Sequence, residues 1–127
     1  MRKFNPKTMY EPAGQYYGAV EVEAGERLIY SSGIVGAKDD GEIIKEPEQQ
    51  IDQAWKNVAA FLEGCDLTTD NLVRMKTHIT KSEYIEISKR ARIKHLGEHM
   101  NCAVTGIIVE LFDSDLCLEI DVIAAGN

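Results

Sequence analysis

The C-terminal run Leu116–Cys117–Leu118–Glu119–Ile120–Asp121–Val122–Ile123–Ala124 leaves few folds open to this chain. Its length and apolar content read as a strand. Period-two alternation then places Leu118, Ile120 and Val122 on one face, and Cys117, Glu119, Asp121 and Ile123 on the other. A carboxylate on a half-buried strand is costly unless something satisfies it. The sheet must therefore be packed on one face, with the other face given to chemistry or to an interface.

The elements before this strand fit that demand. Pro47 suits the first turn of a helix in which Ile51, Ala54, Trp55, Val58, Phe61 and Leu62 recur at helical spacing, with Gly64 as its stop. Leu72 to Thr80 reads as a strand, with Val73, Met75, Thr77 and Ile79 on one face and Arg74, Lys76 and His78 on the other. A second helix is expected from Ser82 to His95, with Ser82 as N-cap, Tyr84, Ile87 and Ala91 inward, and Gly97 beyond its end. Near the start, residues 1–13 read as irregular, and 18–23 and 27–32 as two strands of a hairpin turning at Gly25–Glu26. A strand over Val104–Leu111 turns at Asp113–Ser114–Asp115 into the last one, and Asp39–Asp40–Gly41 is a further turn. The order predicts an α+β domain spanning residues 1–127, a mixed sheet with two helices on one face.

Composition excludes several functions. The 127 residues carry a formal charge of −7, which disfavours nucleic acid, because phosphate contacts dominate that affinity and a binder shows a basic stripe. The locally basic stretch from Lys81 to His95, with Lys89, Arg90, Arg92 and Lys94, reads as the solvated face of a helix. No window approaches the roughly 20 apolar residues that span a bilayer. The N-terminus has basic residues but no apolar segment behind them, so the cytoplasm is the expected location. Cys65, Cys102 and Cys117 are odd in number and lack C-x-x-C spacing, against a disulfide framework or structural zinc. His78, His95 and His99 form no ligand motif, so no metal is expected. Gly33–Ile34–Val35–Gly36 lacks the spacing and lysine of a phosphate loop, so no cofactor is implied.

Several segments together carry a family likeness: Gly14–Gln15–Tyr16–Tyr17–Gly18–Ala19–Val20, Leu28–Ile29–Tyr30–Ser31–Ser32–Gly33, the helix beginning near Glu48, and the C-terminal strands from Ala103–Val104–Thr105–Gly106 onward. In order and spacing, over nearly the whole length, the chain resembles the RidA/YjgF/L-PSP family. The resemblance implies a chorismate-mutase-like fold, a homotrimer whose sheets form a central barrel, and a cleft for a small metabolite at each subunit boundary. Glu119 matches the glutamate thought to position the water that attacks an imine carbon. It is the candidate catalytic residue, and its alternative is an interface carboxylate paired across the subunit boundary. Tyr16 matches the cleft tyrosine, whose phenol donates to a bound carboxylate or carbonyl, and Ser32 and Gly33 offer backbone N–H groups to the same pocket.

One departure stands out. Deaminating members carry an arginine followed by a small residue where this chain has Val104–Thr105. A guanidinium clamps the carboxylate of an amino-acid-derived imine, and valine cannot. Thr105 retains a hydroxyl and Gly106 retains backbone access, so a ligand site survives with less preference for anions. Weak or no activity on 2-aminoacrylate-type imines is expected. Arg74 or Lys76 could supply a substitute charge, or could pair with Glu119 or Asp121. Three functions follow in order: a divergent imine or enamine hydrolase, a non-catalytic trimer that binds a small molecule or acts as a chaperone, and the endoribonuclease of the family's label.

Overall fold

The helix marked by Pro47 forms, and its apolar stripe builds the core. In the computed structural model, which describes residues 1–14 and 16–127, the chain order is β1 (Arg2–Phe4), β2 (Ala19–Glu21), β3 (Arg27–Tyr30), β4 (Ile34–Val35), α1 (Pro47–Gly64), β5 (Leu72–Ile79), α2 (Ile85–Leu96), β6 (Ala103–Ile108) and β7 (Leu118–Gly126). Single 3-10 turns at Thr69–Asn71 and Ser82–Tyr84 lead into β5 and α2. The Glu46 carboxylate caps α1, accepting from Glu48 N at 3.2 Å and Gln49 N at 2.7 Å. It thereby satisfies orphan donors and sits at the positive end of the helix dipole. Gly64 is the last helical residue, but Asp66, at φ 58°, makes the left-handed stop expected of the glycine.

Strand β7 organises the sheet. It pairs antiparallel with β5 on one edge and with β3 and then β4 on the other, while β6 runs parallel to β5 beyond it. Both helices cover the face that carries Leu118, Ile120, Val122 and Ala124, which pack with Ile51, Trp55, Val58, Leu62 and Met75 in one buried cluster. Burial of each large apolar side chain there stabilises the fold by about 1.5–3 kcal/mol. Asp52 of α1 accepts hydrogen bonds from Lys94 and His95 in the last turn of α2, at 3.1 and 3.0 Å, tying the helices at their ends. Gly97, at φ +93°, ends α2.

Five local expectations are corrected. Residues 18–23 and 27–32 do not form a hairpin: β2 pairs with β1 in a separate ribbon, and β3 pairs with β7. An isolated hairpin is marginal in water, and beside β7 Ile29 packs against the core. The N-terminal stretch is accordingly not wholly irregular. A register shift between Leu72 and Arg74 gives Leu72 the core position expected of Val73. Cys117 leaves the carboxylate face, because its N–H donates to Gln50 Oε1 at 2.6 Å and draws it under α1. Ser82 begins a 3-10 turn and is not a helix cap. Among the described residues, no helix is long and apolar enough to cross a membrane.

Candidate functional site

The face of the sheet away from the helices carries Glu119. The register sets it beside His78 on β5 and Val35 on β4, with Asp121 opposite Lys76. His78 is held by its own strand neighbours: Nδ1 donates to the Glu119 carbonyl at 3.1 Å, and Nε2 lies 4.0 Å from Asp121 Oδ2. The half-buried Glu119 carboxylate has no hydrogen bond or ion pair with any described residue. Its neighbour is bare backbone. A Cβ built at Gly33 would sit 2.5 Å from both Cδ and Oε1 of Glu119, so no larger residue fits there without displacing the carboxylate.

Gly33 and Ser32 occupy the break between β3 and β4, exposed along the edge of β7. Ser31 anchors that break, since its N–H donates to Val122 O at 3.0 Å and its Oγ accepts from Val122 N at 2.9 Å. Thr105 belongs to the same face, where its Oγ1 accepts from Arg74 Nη2 at 3.2 Å. Arg74 is thereby turned to β6. Lys76 lies opposite Asp121 in the register of β5 and β7.

Val104 and Gly106 lie on the opposite, helix-covered face, in register with Met75 and Thr77. They line a groove of about 810 Å³ between α2 and β6, together with Trp55, Ser88 and Arg92. Tyr16 is close by but outside it. Residues 16–18 run beside the start of β6, with Tyr17 N donating to Cys102 O at 3.1 Å. Tyr16 and Tyr17 share a smaller hollow of about 440 Å³ with His99 and Asn101, and Gly14 borders both spaces. Gln15 of that segment lies outside the described residues. A single chain thus carries Glu119 and Thr105 on one face of the sheet and Val104 and Gly106 on the other, with Ser32 and Gly33 at the edge of β7 and Tyr16 beside the start of β6.

Sequence reasoning missed Arg92. It was expected on the solvated face of α2, yet it is only 7% exposed, and Nη1 is sealed from solvent without a hydrogen-bond partner among the described residues. The available signal was spacing: Ile85, Ser88 and Arg92 fall on one helical stripe. Burial lowers the pKa of the Arg92 guanidinium from its ordinary value, and the neighbouring Cys102 works the other way. Burial also pushes the Cys102 thiol up to about 11, so it remains a neutral thiol. Among the described residues, no group of three His, Cys, Asp or Glu side chains could hold a metal ion.

The model of the family described as endoribonuclease L-PSP matches residues 7–126. This chain belongs to that family. It is 32% identical over 81 residues to a RutC family protein of Aquifex aeolicus; the match covers 63% of this chain and 62% of that protein, so it spans less than two thirds of its relative's length. Among solved structures, YyfB of Yersinia pestis, described as of the Rid family, shares 24% identity over 97% of this chain and 96% of its own, with a TM-score of 0.74. TdcF of Escherichia coli, solved with bound serine, shares 20% identity over the full length of both chains at a TM-score of 0.69. These likenesses show the same fold: a mixed sheet with two helices on one face.

Proposed function

We propose that this L-PSP family protein is a divergent RidA-like hydrolase acting on a small imine or enamine, with Glu119 ordering the attacking water. Family membership supports a small-molecule deaminase or binding role in general, and the serine bound to TdcF supports a small polar ligand. The observation that carries the finer reading is the unpaired Glu119 carboxylate against the backbone of Gly33. Hydrolysis of C=N needs an ordered water and a group that takes its proton, and a carboxylate without a partner is free to do both. Because Glu119 and Val104 lie on opposite faces of the sheet, the reading requires a second copy to bring one chain's Glu119 to another's groove. The expected homotrimer, with its cleft at the subunit boundary, supplies that arrangement.

The test couples an amino-acid oxidase to semicarbazide, which traps the imine before water does. Acceleration by the protein lowers the semicarbazone formed, and Glu119→Gln is expected to remove about 100-fold or more of it while leaving assembly intact. No acceleration across acidic and neutral amino acids would overturn the hydrolase reading. The second reading, a non-catalytic binding or chaperone-like protein, draws on Val104, which adds to an apolar wall where a clamp would stand. The endoribonuclease reading ranks last, since a net charge of −7 opposes RNA phosphates.

A further inference from the structure

We infer that the groove between α2 and β6 binds a monocarboxylate with an apolar body, and that Arg92 of α2 is the residue that holds its carboxylate. The inference rests on the small-molecule reading above and names the ligand class of its cleft. Buried charged groups are paired almost without exception. Arg92 breaks that rule within the chain, because its Nη1 is enclosed and unbonded, and no described carboxylate forms an ion pair with it. The one nearby group that could become an anion, the Cys102 thiol, stays neutral. Glu98 also lines the groove, but it is exposed at the rim. A guanidinium with a free edge beside a cavity is suited to a planar carboxylate, which it grips through two parallel N–H···O bonds.

A second polar group stands one helical turn away. Ser88 is buried, and its Oγ accepts from Trp55 Nε1 at 3.0 Å, which leaves its own proton without an acceptor among the described residues. Ser88 and Arg92 share a face of α2, so both can donate to one carboxylate. The opposite wall is apolar, formed by Met75, Ile79 and Val104. The volume of about 810 Å³ lies within the range of drug-sized ligand sites. Val104, a small apolar side chain on that wall, leaves room for the ligand body.

Trp55 is the chain's single tryptophan, and it lines the groove, so its fluorescence reports occupancy directly. The protein is titrated with 4-phenylbutyrate and with 4-phenylbutanamide, which has a similar shape and no charge. The wild type is expected to bind the carboxylate at least tenfold more tightly than the amide. Arg92→Gln should abolish that preference while leaving amide binding nearly unchanged, and Arg92→Lys should restore part of it. Val104→Phe, which fills the groove without touching the charge, should weaken both probes. Equal binding of the two probes by the wild type overturns the inference without any variant, so a misfolded Arg92→Gln cannot shelter it. A preference that survives Arg92→Gln also overturns it, as does failure of 4-phenylbutyrate to bind. Carboxylate preference without imine hydrolysis leaves Arg92 in place and sinks only the hydrolase reading. Glu119-dependent hydrolysis without the preference does the reverse.

Discussion

Two buried polar side chains on the helices carry much of the specificity of this fold at the scale of single residues, and they do opposite things. Gln50 is fully buried and satisfied: its Nε2 donates to Ile44 O and Asp115 O, both at 2.8 Å, and its Oε1 accepts from Cys117 N at 2.6 Å. It joins two loops and the entry to β7 to the first turn of α1. Arg92 is buried and unsatisfied, as a group waiting for an external partner would be. Removing the first should cost stability, whereas removing the second should cost binding. Gln50→Ala leaves an N–H and two carbonyls without partners, and is expected to destabilise the protein by about 2–4 kcal/mol. Chemical denaturation measures this, and a loss below about 1 kcal/mol would mean that water replaces the side chain.

The helices are set by their ends as much as by their stripes. Hydrogen bonds from Lys94 and His95 outweigh the burial that raises the Asp52 pKa, and hold it net below its ordinary value of 3.8. A carboxylate depressed in the folded state contributes stability above its unfolded pKa and loses it as the pH falls through the folded one. Wild type should therefore melt higher than Asp52→Asn at pH 6, and the two Tm values should converge below pH 3.8. A gap that persists unchanged at pH 2.5 would assign the effect to something other than this charge. Element identity was legible in the sequence: α1, β5, α2, β6 and β7 all appear where periodicity and turn residues put them. Pairing was less so. The segment of β3 carries the signals of a hairpin partner, and only the presence of β7 with a free edge redirects it.

For the whole molecule, the decisive fact is that the sheet has one covered face. The open face bears Glu119, Asp121, Lys76 and His78 along with exposed hydrophobic side chains of β3. Leu28 is 46% exposed and Tyr30 is 67% exposed. We propose that this face packs against two further copies in a homotrimer, which also unites the divided candidate site. Sedimentation should give three chains of 14.2 kDa. Tyr30→Asp should shift the protein towards monomer and lower imine hydrolysis, with the helical signal in circular dichroism retained. A wild-type monomer would overturn the assembly and the intersubunit site together.

The amino-acid order alone determined the layer architecture, because helical and strand periodicities are local and the apolar stripes they generate can be buried in only one way. It also marked Glu119, since a carboxylate within an apolar strand is conspicuous wherever the strand lies. What only the tertiary structure decided is which side of the sheet each marked residue faces, and hence that Glu119 and Val104 do not meet within one chain. It decided likewise that Arg92, one of several cations on a basic helix, is enclosed and unpaired. Neighbours along the chain cannot report enclosure. It depends on how α2 lies over β6, and that is fixed by contacts with α1 and the sheet that are remote in sequence.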